Sequence, residues 1–164
     1  MGGTVLRVLS AFSVQDACSS VVGHGRRDFR KAKRLVESWE HFNLGWAYTN
    51  APRVSVGESV IVVAKSLGVW TINPLRVYST RRSRGTLTFS HRTLHGHQLS
   101  GEETFCLEMK RNGDVTFGIE TVSQPGTLLA ALTYPVVRMY QNKFKQDSLE
   151  HIKNKILEER ISIR

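Results

Sequence analysis

Three of the six histidines and a pair of adjacent carboxylates fall between Phe89 and Glu103: His91, His95, His97, Glu102 and Glu103. Imidazole and carboxylate together are the side chains that move protons near neutral pH, so this is where acid–base chemistry would sit. The run Glu102 to Lys110 alternates as a strand, with Glu103, Phe105, Leu107 and Met109 on one face and Glu102, Thr104, Cys106 and Glu108 on the other. Leu87, Phe89 and His91 alternate in the same way, so pairing the two runs as a hairpin sets His91 across from Glu103 on the apolar face. A carboxyl group there is desolvated and its pKa rises unless a His or Arg compensates. Two readings stay open. Glu103 and His97 act as a general base and its partner, or the inward carboxylate is satisfied by its neighbours as a structural polar network.

His95 and His97 stand two apart with carboxylates nearby, but a single His-x-His without a third histidine at fixed spacing does not make a zinc motif, and no metal is expected. Five further residues are candidates for binding a ligand. Arg76 falls in a β-prone run with Trp70, Ile72 and Tyr78 on its face, and a guanidinium in a pocket would hold an anion. The alternative is an edge strand with Arg76 in water. Trp46, Tyr48 and Trp70 are aromatic residues of the kind that wall small-molecule pockets, although such residues also fill plain cores, and His91 completes the set. No nucleophile elbow, phosphate-binding loop or dinucleotide fingerprint is present, and no cofactor is expected: Gly23-His24-Gly25 lacks the third glycine.

These side chains need a scaffold. Phe29, Ala32, Val36 and Trp39 recur at spacings of three and four, predicting an amphipathic helix from Arg26 to His41. Ser59–Ser66 and Trp70–Thr80 are β-prone, the second interrupted by Pro74, which suggests an edge or a bulge. Asn112-Gly113 supplies a tight hairpin turn, after which Val115, Phe117 and Ile119 alternate. Helical spacing then runs from Thr127 to Ile156, with Pro135 expected to kink it or to start a second segment. Helix, several antiparallel strands, long helix: the expected class is α+β, a curved antiparallel sheet packed against a long C-terminal helix, with one N-terminal amphipathic helix.

The 164 residues suit a single domain, expected over 21–157, with a variable or flexible segment at 1–20 and a tail at 158–164. Residues 1–22 are poor in acid and contain several serines, compatible with an organelle-targeting peptide or with a strand. A net charge of +9 favours anionic partners, but the cations cluster on predicted helices and a turn with no stacking platform or binding motif, so a nucleic-acid surface is disfavoured. Two cysteines without a CxxC spacing indicate neither a disulfide framework nor a zinc site, and an intracellular, cytoplasmic setting is expected. No apolar run approaches the ~20 residues a membrane-spanning helix needs.

Ser38-Trp39, Leu44-Gly45-Trp46-Ala47, Leu67-Gly68, Asn73-Pro74 with Arg76-Val77, Thr93-Leu94, Gly96-His97, Gly101-Glu102-Glu103 with Phe105, and Ser123 with Pro125 occur in that order. Together they resemble uncharacterised protein family 0548, also called domain of unknown function 1990, over roughly 21–153. His91-Arg92 replaces the family's usual Tyr-Gly before Thr-Leu, and the first 20 residues depart from its usual start, which suggests a divergent N-terminus lacking a first strand. The element order is also similar to helix-grip domains of the START and Bet v 1 type, which implies a cavity between sheet and helix. The expected function is binding of a small, partly apolar and possibly anionic ligand there. The rivals are a cofactor-independent isomerase, cyclase or hydrolase in the same pocket, with Arg76 stabilising developing charge, and a basic nucleic-acid or membrane-surface adaptor.

Overall fold

The computed structural model describes residues 14–95, 97, 99–125, 132 and 134–162. Seven antiparallel strands form one curled sheet: β1 (Val14–His24), β2 (Ala47–Thr49), β3 (Ser59–Ser66), β4 (Val69–Arg82), β5 (Thr86–Thr93), β6 (Leu99–Met109) and β7 (Asp114–Pro125), in the order β1-β7-β6-β5-β4-β3-β2. Helix α1 (Gly25–Glu37) follows β1, and the long helix α2 (Tyr134–Ser162) closes the chain, packing on β1, β7 and α1. The expected class, a curved antiparallel sheet with a long C-terminal helix and one other helix, is the one observed. Of the segment set apart as 1–20, residues 14–20 lie in β1 and pair with β7, so the first strand is present. Residues 158–162 continue α2 rather than forming a tail.

Helix α1 stops at Glu37, short of the expected His41, because Trp39 takes a left-handed conformation (φ 64°) before a single 3-10 turn at Glu40–Phe42. Left-handed geometry is costly for a residue with a β-carbon. Packing offsets it: the bend sends Trp39, His41 and Phe42 together onto the sheet, where a continuing helix would spread them around its circumference. There they meet Phe89, Phe105 and Phe117 on adjacent strands, whose rings stack in sequence, Phe89–Phe105 at 4.8 Å and Phe105–Phe117 at 6.3 Å. Glu37, almost fully buried, accepts hydrogen bonds from Arg53 at 2.6 Å and Arg82 at 2.8 Å, and so ties the end of α1 to β4. Burial pushes its pKa up, but these guanidinium hydrogen bonds outweigh that and hold it below the usual carboxylate range.

Pro74 does not interrupt β4. It sits just past the last β4–β5 pair, Leu75–Thr93, and its carbonyl still accepts the Leu94 amide at 2.9 Å, so the two segments stay together where the proline amide is missing. The bulge lies instead between Val77 and Ser79. Pro135 occupies the first turn of α2, where a proline is tolerated, in keeping with the expectation that it starts a helical segment. The expected helical residues Leu128 and Leu129 lie outside the described residues.

Part of the positive charge is neutralised locally. Lys31 pairs with Glu159, Lys143 with Asp147 at 2.6 Å, and Lys145 with Asp16 at 3.5 Å. No helix among the described residues is long and apolar enough to cross a membrane.

Gly101 on β6 faces the β7 backbone so closely that an added β-carbon would collide with the Val122 carbonyl oxygen and come within 2.7 Å of Ser123 Cα. Rigid backbone cannot yield as a side-chain tip would. Gly101→Ala is expected to cost about 2 kcal/mol, read as a drop in thermal midpoint of roughly 4–8 °C; a midpoint within a degree of wild type would show that the two strands separate freely.

Candidate functional site

The curled sheet and α2 do not meet everywhere. Between β3–β6 and the start of α2 lies a cavity of about 380 Å³, within the range of small-molecule sites. Phe42, Trp46, Tyr140 and Phe144 give it aromatic walls, and Val62, Ala64 and Leu75 form an aliphatic floor from β3 and β4. Inward residues of each strand alternate with outward ones, so the floor is the continuation of the core. Two hydrogen bonds tie α2 to the far side. Trp46 Nε1 donates to Asp147 Oδ2 at 2.7 Å, and the Leu67 amide donates to the Tyr140 hydroxyl at 3.0 Å.

Polar groups gather where β5 and β6 reach the cavity. His91 and Glu103 pair across the strands, as the alternation predicts, with His91 Nε2 at 3.3 Å from Glu103 Oε2. The contact is an ion-pair distance without hydrogen-bond alignment: both ring nitrogens of His91 are buried with no hydrogen-bond partner in the described structure. His97 also lines the cavity, and its Nδ1 accepts the Leu99 amide at 3.0 Å, which leaves the ring proton on Nε2. Burial pushes the His97 pKa down to about 4 against the opposing charge of Glu103, so the ring is neutral at physiological pH. Gln141 donates to Ser123 Oγ at 2.8 Å and accepts from Arg138 at 2.6 Å, adding a satisfied polar pair to the wall.

The candidates divide cleanly. Glu103, His97, His91 and Trp46 come together at the cavity. Arg76, Tyr48 and Trp70 do not. All three lie on the outer face of the sheet, where Arg76 donates to the Ser59 hydroxyl at 3.1 Å and Tyr48 and Trp70 pack edge to face, each about half exposed. The alternation grouped Arg76, Trp70, Ile72 and Tyr78 correctly; nothing in the sequence says which face curls inward, and the curl assigns this one to solvent. Glu102 also points outward and accepts from the Tyr78 hydroxyl at 3.0 Å. No group of three or more His, Cys, Asp or Glu side chains placed to hold a metal occurs among the described residues.

His41 escaped the sequence reading. It is fully buried among Trp39, Phe42, Phe89, Phe105 and Phe117 with neither ring nitrogen hydrogen-bonded, and its signal was its position between Trp39 and Phe42. Desolvation, with smaller contributions from His91 and His151, holds its pKa well below the ordinary value.

Residues 4–151 match the family described as Domain of unknown function (DUF1990). The chain belongs to this family. The match extends beyond the 21–153 span of the recognised motifs to the N-terminal side and includes β1. Relatives of the DUF1990 chain include UPF0548 proteins of Arabidopsis thaliana, 35% identical over 80% of this chain and 68% of the relative, and of Dictyostelium discoideum, 34% identical over 77% and 65%. The chain thus spans about two thirds of their length. Solved structures share the fold at 9–12% identity. A hypothetical protein of Helicobacter pylori has a TM-score of 0.62 over 87% of this chain and 86% of its own. The Zhui aromatase/cyclase of Streptomyces has 0.59 over 88% and 92%, and norcoclaurine synthase of Thalictrum flavum 0.58 over 90% and 95% at 10% identity. The DUF1990 chain therefore has a helix-grip fold, a curled antiparallel sheet with a long C-terminal helix.

Two histidines kept neutral by burial make the fold acid-sensitive. Their folded pKa values lie below the unfolded 6.5, so the unfolded chain binds more protons and stability falls as pH drops below about 6.5 toward 4. Each contributes up to about 1.4 kcal/mol per pH unit, less for His97, whose ring is partly solvated. Thermal midpoints at pH 7.5 and 5.0 should show the loss, and His41→Leu should flatten it. An equal loss in that variant would assign the acid sensitivity elsewhere.

Proposed function

We propose that the chain is a binding domain for a small, largely apolar molecule held between the sheet and α2. The observation that carries this reading is the cavity itself: about 380 Å³ of space, walled mainly by aromatic and aliphatic side chains, with a few convergent polar groups at one end. A core without a guest packs to crystalline density, and an unfilled space of this size costs stability that a ligand restores. An anionic ligand, which Arg76 would have favoured, loses its support because Arg76 stands outside. Among the described residues no Lys or Arg lines the wall.

The neutral, apolar dye N-phenyl-1-naphthylamine tests the reading directly. It should fluoresce on binding, and at a hundred times its Kd should stabilise the fold by about 2.7 kcal/mol. For a domain of this size that is a rise of roughly 5–10 °C in thermal midpoint. Ala64→Phe, which places a ring on the cavity floor, should weaken dye binding at least ~10-fold while the protein stays folded. No dye binding by the wild type, or undiminished binding by the variant, would remove the cavity as the site.

A second reading, a cofactor-independent enzyme, rests on the unaligned His91–Glu103 contact beside the neutral His97 ring. Both His91 nitrogens lack hydrogen bonds among the described residues, the state expected of a base that engages its substrate. Arg76 has no part in it. With a ligand in hand, Glu103→Gln should abolish turnover far out of proportion to its effect on affinity; an equal loss of both would leave binding alone.

A further inference from the structure

One end of the cavity brings together an acceptor and a donor that no other described residue satisfies. Glu103 presents its carboxylate there, with 18% of its side chain exposed. Among the described residues it receives no hydrogen bond; the unaligned His91 ring stands 3.3 Å away. His97 is the complement. The Leu99 amide occupies Nδ1, so Nε2 carries the proton and can only donate. The two side chains interact electrostatically at the same end of the cavity. Polar groups in an apolar cavity are costly when unpaired, so the guest that fits is the one that answers both.

We infer that this end of the cavity takes one neutral hydroxyl on an otherwise apolar ring system, a phenol above all, donating to Glu103 and accepting from His97. The inference rests on the reading of the cavity as a ligand site and narrows it to a chemical class. A hydroxyl has one proton to give and lone pairs to receive one, which matches the pair; an ether or ketone leaves Glu103 without a donor, and a protonated amine leaves His97 without an acceptor. Carboxylates and phosphates are excluded on charge. They would be desolvated beside the Glu103 carboxylate with no Lys or Arg on the wall among the described residues, since Arg76 lies on the opposite face of the sheet. A phenol also donates more strongly than an alkyl alcohol, and its ring meets Phe42, Trp46 and Phe144, which border the same space.

Three probes on one skeleton test this at pH 7.5, by calorimetry on the full chain: 2-naphthol, 2-methoxynaphthalene and 2-naphthoate. The expected order is naphthol about 10-fold or more tighter than the methyl ether, because the ether loses the bond to a charged acceptor, with naphthoate weaker than both. Glu103→Gln and His97→Ala, checked for folding by thermal melts, should each shrink the gap between naphthol and its ether. Should either variant fail to fold, the wild-type order alone decides. Equal affinity of naphthol and ether overturns the hydroxyl assignment while the apolar site stands, and so does tighter binding of naphthoate. If none of the three binds while N-phenyl-1-naphthylamine does, the hydroxyl assignment falls and the ligand-site reading stands; if the dye fails to bind as well, both fall.

Discussion

The aromatic stack of Phe89, Phe105 and Phe117 is the contact on which the rest of this molecule depends. It runs across three adjacent strands on the concave side of the sheet, and the bend after α1 presses Trp39, His41 and Phe42 against it. Rings of this size fill one end of the concavity completely, and α2 completes the seal there with Leu149, Ile152 and Ile156. Beyond Phe42 and Phe144, whose rings lie 4.7 Å apart, the filling stops and the cavity begins. The void is therefore the remainder of a concave sheet whose aromatic plug covers only part of its length. A flatter sheet would have no such remainder, and a longer plug would have consumed it.

Holding that plug in place draws on polar contacts as much as apolar ones. Glu37 bridges Arg53 and Arg82, and Arg82 also reaches the Val54 carbonyl at 3.0 Å, so one buried carboxylate fixes the exit of α1, the following loop and the end of β4. Ser148 Oγ donates to the His41 carbonyl at 2.8 Å and joins the bend to α2. Buried charge of this kind contributes position more dependably than net stability, because desolvation offsets much of the attraction. His41 is the counterexample within the same cluster. Its ring behaves as a hydrophobe with two unanswered nitrogens, tolerated because dispersion with five aromatic neighbours stands against that cost.

The strand and helix pattern was legible because period-two and helical spacing are local properties. The His91–Glu103 pairing followed from alternation once the two runs are paired as a hairpin, and Glu103 inward with Glu102 outward followed with it. Sheet curvature is a collective property, and no residue near Arg76, Tyr48 or Trp70 encodes which way the sheet bends; alternation put Arg76 and Trp70 on one strand face, and the curl turns that face, with Tyr48, to solvent. The end of α1 was missed for a similar reason. Trp39 fits a helical stripe by spacing, and only the facing strands show why its backbone turns left-handed. Pro74 misled because a proline reports the hydrogen bond it cannot make and not the one its carbonyl still accepts, here from the Leu94 amide at 2.9 Å.

Glu102 and Glu103 are neighbours along the chain, yet one accepts from Tyr78 on the outside and the other faces the cavity. What separates them is parity alone. The β6–β7 hairpin turn, where Gly113 sits at φ 90° and its amide bonds back to the Lys110 carbonyl at 2.9 Å, meters the pairing from Met109–Val115 to Leu99–Pro125. A residue inserted in that turn does not move the carboxylates, because β5 holds β6 in the same parity from its other edge, with Arg92 opposite Glu102 and His91 opposite Glu103; the slip falls on β7 or on the loop. The facing strand on each side thus carries positional information for the cavity, and a strand paired on both edges keeps its inward and outward residues when a loop changes length.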